Sequence, residues 1–305
     1  MSGHAKQPSS PTTASEGAAA QAKGPSPTVD RQALAALVRS TLTAIESPPP
    51  APPRQRPRIA ARFSLPPIKP TVLAVRTIAD LQPELAIALG IKPEQRAVGF
   101  ITCTSDDALY VALDEGTKAA RVDVVYAKSF YAGAAHASGP LSGEVIGCYA
   151  SHDIDEVHAA LSACRRCLSD EAWFYAAETR STGATKGEPI AFFPHVVRAT
   201  GRYLSQQAGI SPGEPLAYLI APPIEAMVGL DAALKTGGVR LLRFFGPPTE
   251  TNFGGAYLGG DLPSCEAAAE AFAAAILDVS QHPAPKGSWS ARGSGERLAS
   301  PRRSR

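Results

Sequence analysis

One pattern occurs twice in this chain. Ala88-Leu89-Gly90-Ile91-Lys92-Pro93 aligns with Gln207-Ala208-Gly209-Ile210-Ser211-Pro212, which places Gly90 on Gly209, Ile91 on Ile210 and Pro93 on Pro212 at a spacing of 119 residues. The segment Val111 to Val122 then lies over Val228 to Val239 at a spacing of 117, and Val111, Leu113, Asp114, Lys118 and Val122 all recur. A shift of two residues is what one loop can absorb. A repeat this long is a whole domain and not a solenoid unit, so it predicts two similar lobes packed with a pseudosymmetric logic.

A length of 305 residues suits two domains, and 44% hydrophobic content is enough for two real cores. The ends read differently. Residues 1–70 carry nine Lys and Arg against Glu16, Asp30 and Glu46, and residues 284–305 carry six against Glu296. The whole chain is only +2, so basic arms flank an acidic body. The arms are rich in Pro, Ala, Ser and Gly, a composition that predicts disorder. Their basic residues are scattered without interleaved aromatics, which favours solubilising tails or contacts to acidic protein over nucleic-acid binding. No apolar run reaches membrane-spanning length and MSGHAKQPSS lacks the apolar stretch of a signal peptide, which predicts no membrane association and a cytoplasmic location. Five cysteines without a regular framework agree with that compartment.

Within each repeat, strands and helices alternate. Thr71 to Val75, Ala97 to Cys103, Arg121 to Tyr126 and Gly143 to Tyr149 read as strands. Asp80 to Leu89, ending at the helix-stop residue Gly90, Asp114 to Ala120, and Asp153 to Leu168 read as helices. Their counterparts are His195 to Ala208, Leu216 to Ile220, Asp231 to Lys235, Val239 to Phe245, Gly254 to Leu258 and Ser264 to Val279. Few helices against a mostly antiparallel sheet is an α+β, ferredoxin-like plan.

No catalytic constellation emerges: the chain has no phosphate loop, no HExxH and no GxSxG. Its six histidines are dispersed. Cys164-Arg165-Arg166-Cys167 has the spacing of a redox pair, but it ends an amphipathic helical pattern and has no second pair, so core filling is the favoured reading and a redox role the alternative.

The twice-repeated Asp-x-x-x-Lys-x-x-x-Val resembles the signature of bacterial microcompartment shell domains. Tyr131 to His136 (YAGAAH), Ala217 to Ala226 (AYLIAPPIEA), Gly229 to Lys235 (GLDAALK) and Pro247 to Gly260 (PPTETNFGGAYLGG) resemble the tandem, circularly permuted shell proteins of ethanolamine-utilisation compartments. The resemblance runs from about Ile68 to Pro283. It implies circularly permuted shell domains over 68–174 and 175–283; outside it lie the arm over 1–67 and the tail over 284–305, whose composition predicts disorder. It further implies no enzyme activity and no cofactor or metal, but a homotrimer of six lobes that tiles a shell with other shell proteins and carries pores.

Lys118 and Lys235 would by this resemblance stand at the lattice edge. Two small-residue loops, with Tyr131, Gly133 and His136 in one and Thr251, Asn252, Phe253 and Gly254 in the other, would meet at a gated central pore, where glycines let three backbones approach one axis. A second, narrow pore between the lobes would bind ethanolamine or a similar small cation through Asp106, Asp107, Glu144, Glu225 and the aromatic Trp173. Carboxylates supply charged acceptors for such a ligand and an indole face a cation–π contact.

The resemblance leaves the N-terminal arm unexplained. There, Asp30 can cap a helix over residues 30–46, with Leu34, Leu37, Val38, Thr41, Leu42 and Ile45 on one face. So short a helix is marginal alone, so its stripe predicts docking on another protein such as an encapsulated enzyme, or else folding back on its own trimer. A trimeric metabolite-sensing regulator with a ligand between its lobes is the alternative function, and a carboxylate enzyme using Asp106, Glu144 and Glu225 ranks behind it.

Overall fold

The repeat in sequence becomes a repeat in space. A computed structural model describes residues 58–130, 141–179, 187–247, 249 and 252–282. The proposed helix 30–46, the loop 131–140, Thr251 and the tail 284–305 lie outside the described residues. The first lobe runs β2 (Val72–Ile78), α2 (Pro83–Ala88), β3 (Ala97–Cys103), α3 (Asp106–Ala119), β4 (Asp123–Ser129), β5 (Val145–Ser151) and α4 (Ile154–Asp170). The second runs β7 (Ile190–Val197), α5 (Arg202–Ala208), β8 (Leu216–Ala221), α6 (Pro223–Lys235), β9 (Val239–Phe245), β10 (Gly254–Gly260) and α7 (Leu262–Gln281). Element for element the two agree. Both sheets are antiparallel, in the orders β2-β3-β5-β4 and β7-β8-β10-β9.

Two further strands lengthen the second sheet. β6 (Phe174–Ala177) pairs with β7, and the two-residue β1 (Pro67–Ile68) pairs with β6. Ahead of them α1 (Arg58–Phe63) lies against α7, where Ile59 and Leu65 are buried with Phe272 and Ile276 and Arg62 pairs with Glu270. Residues 58–67, expected to be disordered, are therefore ordered, because Ile59 and Leu65 supply apolar surface that α7 can cover. Phe174, assigned from sequence to the first domain, stands in the second sheet.

The caps follow local chemistry. Asp153 accepts from the Asp155 amide at 2.9 Å and Asp261 from the Ser264 amide at 2.8 Å, which starts α4 and α7. Gly90 and Gly209 end α2 and α5 at φ +69° and +67°, the left-handed region that glycine enters without strain. Two helices begin earlier than their periodicity suggested. Asp106 and Asp107 form the first turn of α3 and not a free acidic turn, and α6 starts at Pro223, where proline loses no hydrogen bond.

The core joins the lobes. Every residue of β8 (LAYLIA) is buried, as a continuous apolar run at the centre of a covered sheet should be. Ala217, Leu219 and Ala221 face α6 and α7, whereas Leu216, Tyr218 and Ile220 share a cluster with Leu109, Leu113 and Val145 of the first lobe. The described residues belong to one compact unit.

Candidate functional site

Three carboxylates converge where the lobes meet. Asp106 and Asp107 are nearly buried in the first turn of α3, where free backbone amides favour negative charge. The Asp107 amide donates to Asp106 Oδ1 at 2.8 Å, and the Tyr218 hydroxyl of β8 donates across the seam to Asp107. Glu144 is fixed through its backbone: its amide donates to the Cys103 carbonyl at 2.9 Å and its carbonyl accepts from the Phe130 amide at 2.9 Å. Burial, then the Asp106 charge, pushes Asp107 well above the ordinary carboxylate range, and Glu144 adds to the effect. Burial, then Asp106, also raises Glu144. Such a cluster gains by taking up a cation that neutralises it.

The other two residues expected at this site are placed differently. Trp173 follows α4, and its indole N–H donates to the Leu168 carbonyl at 2.9 Å. Its ring face is taken by Lys69, whose Nζ lies 4.1 Å from the centroid. Lys69 is held there because β1 pairs Ile68 with Phe174, the neighbour of Trp173. Glu225 lies half-buried in the first turn of α6, and the acids that act on Asp107 are Asp106 and Glu144. Neither Tyr218 nor Lys69 was found from the sequence: Tyr218 reads there as one more apolar position of a buried strand, and Lys69 as one charge of a basic arm.

Among the described residues no group of three His, Cys, Asp or Glu side chains could hold a metal ion, and no helix is long and apolar enough to cross a membrane. Cys164 and Cys167 are buried free thiols whose pKa burial pushes up, so the thiolate needed for redox chemistry is disfavoured and the core-filling reading holds.

Comparison with known proteins decides the family. Residues 97–177 match the BMC domain. Over 216 residues the chain is 47% identical to the bacterial microcompartment shell protein EutL of Clostridium perfringens, covering 71% of this chain and 96% of that protein. It is 43% identical to EutL of Escherichia coli, with 95% of that protein covered. The crystal structure of the ethanolamine utilization protein EutL from Leptotrichia buccalis shares 47% identity and a TM-score of 0.66, over 72% of this chain and 98% of that one. The chain belongs to the EutL family of bacterial microcompartment shell proteins. As a EutL-type protein it is a component of the microcompartment shell, an oligomeric assembly that includes other shell proteins.

The two lysines of the EutL-type repeat have different surroundings. Lys118 is 28% exposed; it donates to the Ala199 carbonyl at 2.7 Å, lies 3.3 Å from Asp114 and pairs with Glu115. Lys235 is 73% exposed and, among the described residues, pairs only with Asp231, at 2.5 Å. Of the loops assigned to a central pore, Tyr131, Gly133, His136 and Thr251 lie outside the described residues. Asn252 sits at φ +62° in a turn closed by two bonds of 3.2 Å, from its amide to the Thr249 carbonyl and from the Thr249 amide to the Phe253 carbonyl. Phe253 packs edge-on against Phe174 at 6.0 Å, and Gly254 opens β10.

Proposed function

We propose that this chain forms a ring of three copies, six lobes in all, that tiles the shell and passes a small cation between the lobes of each copy. One observation carries the ring. The seam joining the two lobes uses a face that the repeat supplies twice, and the second copy of that face is uncovered. In the seam, Asp114 accepts from the Gly201 amide at 2.6 Å and the Leu204 amide at 2.9 Å, so an acid of the first lobe caps a helix of the second. The repeat equivalents are Asp231, Gln82 and Leu85. Leu204 is 0% exposed and Leu85 46%; Val111 is 1% exposed and Val228 43%. Leu241 and Phe244 of β9 and Ile87 of α2 extend the bare surface.

A face on α6 and β9 that matches a face on α2 is heterologous, and a heterologous contact closes into a ring where its rotation divides the circle, as six equivalent lobes would. Burying this much apolar surface supplies the driving force. The lobes then alternate around the ring, with Lys118 and Lys235 at its edge and the segments around residues 131–140 and 247–253 towards its axis.

The carboxylates Asp106, Asp107 and Glu144 are the cation site, with Tyr218 holding Asp107. A small ammonium such as ethanolamine, the compound in whose utilisation the related EutL proteins are named, fits this chemistry. Binding is weak, because a pore that holds its ligand tightly does not conduct. The chain acts as a wall component and not as a catalyst.

Electron microscopy of the purified protein tests the tile. Wild type is expected to form hexagonally ordered sheets, and Lys118→Glu with Lys235→Glu to leave the rings but abolish the sheets. Discrete rings that never associate, or sheets unchanged in the double variant, contradict the proposal.

A further inference from the structure

The packing between the lobes leaves a cavity of about 380 Å³ that none of the clustered carboxylates lines. Its walls are Tyr110 of α3, Tyr203 of α5, Tyr218 of β8, Tyr257 of β10, and Phe245 and Arg243 of β9, with Lys128 at the rim. The remaining wall is β4, an edge strand whose pairing with β5 slips between Val124 and Tyr126. Such an irregularity bends an edge strand away from regular pairing, which accounts for a gap at this point.

The side chains around the gap have capacity left over. Tyr218 and Tyr257 meet edge-on at 4.6 Å and Phe245 and Tyr257 at 4.9 Å, so the rings are fixed against one another. Arg243 lies over Phe245 at 5.4 Å and donates to the Gln207 side-chain oxygen at 3.1 Å. Among the described residues neither Arg243 nor Lys128 has a carboxylate partner, and the Tyr203 hydroxyl has no hydrogen-bond partner. Two unneutralised cations and a free phenol line an aromatic cleft of ligand size.

We propose that this cleft binds a planar aromatic anion, its ring among Tyr110, Tyr203 and Tyr257 and its charge on Arg243 and Lys128. Aromatic walls gain from ring stacking, and a guanidinium presents a fork that matches a phosphate or carboxylate. Tyr218 stands between the cavity and Asp107, so an anion binds with its charge turned from that ring and towards Arg243 and Lys128. A ligand here also touches the ring whose hydroxyl holds Asp107, which places an effector one side chain from the carboxylate cluster. The assignment does not rest on the ring or on cation passage.

The probe is 1-naphthyl phosphate, titrated calorimetrically into the full-length protein beside 1-naphthol and inorganic phosphate. Saturable binding of the naphthyl phosphate is expected, with each fragment at least tenfold weaker. Arg243→Met should weaken binding at least tenfold and Arg243→Lys less. Lys128→Met, on the exposed rim where folding is not at stake, should weaken it severalfold. Absence of saturable binding, naphthol binding as tightly as its phosphate, or full affinity in Lys128→Met would each overturn the proposal.

Discussion

Asp114 and Asp231 occupy the same position of the same repeat and behave differently. The Asp114 side chain is 0% exposed and holds the start of α5; that of Asp231 is 63% exposed and among the described residues holds only Lys235. Identical residues thus yield a finished interface in one lobe and an unfinished one in the other, because only the first has a covalently attached neighbour to meet. The helix starts at the equivalent places of the two lobes also differ. A Cβ on Gly201 would come within 2.5 Å of Thr117 Oγ1 and 2.7 Å of the Asp114 carbonyl, so the internal seam requires glycine. Gln82 stands at that place, as the N-cap of α2, so a contact between copies there would be looser than the one between lobes.

The largest expected effect comes from cutting the closed copy of the face. Leu204→Ala should destabilise the protein by about 2–5 kcal/mol in denaturant unfolding, the usual cost of emptying a fully buried leucine. Leu85→Ala should cost less than about 1 kcal/mol when measured on the isolated subunit. Likewise Asp114→Ala strands two buried amides, at roughly 3 kcal/mol, and Asp231→Ala stays within about 0.5 kcal/mol. Equal losses in the paired variants would erase the distinction.

A smaller effect separates the carboxylate cluster from ordinary surface acids. Burial and its acidic neighbours raise Asp107, so the folded state holds that proton to higher pH than the unfolded chain. Stability from this group is complete below the unfolded value of about 3.9 and is lost as pH rises through the folded value. Asp107→Asn cannot ionise. Its melting temperature should therefore gain on wild type as pH is raised from 4 to 8; a constant difference would show that Asp107 ionises freely.

The smallest effect concerns Lys69. If its ammonium competes for the Trp173 face, Lys69→Met should tighten ethanolamine binding by a few fold, in line with a cation–π contact of about 0.5–2 kcal/mol. Asp106→Ala with Glu144→Ala should remove that binding. An unchanged affinity in Lys69→Met would separate Trp173 from the cation's path.

Much of the fold could be read from the sequence, and the reasons are physical. β3 and β9 occupy the spans their β-branched and apolar runs suggest, and Gly90, Asp153 and the Val111 to Val122 repeat each act through local geometry. β1 and β6 escaped notice because two and four residues carry no period, and they exist only because the edge of β7 is there to pair with. In the site, the three clustered acids came from resemblance. The Tyr218 bond to Asp107 spans 111 positions of chain and the Asp114 bond to Leu204 spans 90, and no local pattern encodes such partners. Lys69 over Trp173 is invisible for the same reason.

The claim that the repeat's uncovered face is closed by other copies of the chain is tested most directly by the mass of the protein in solution. Sedimentation velocity of wild type and of Leu85→Asp, each checked by circular dichroism for an unchanged fold, should give three copies for wild type and one for the variant. A monomeric wild type, or a variant that still sediments as three copies, would contradict it.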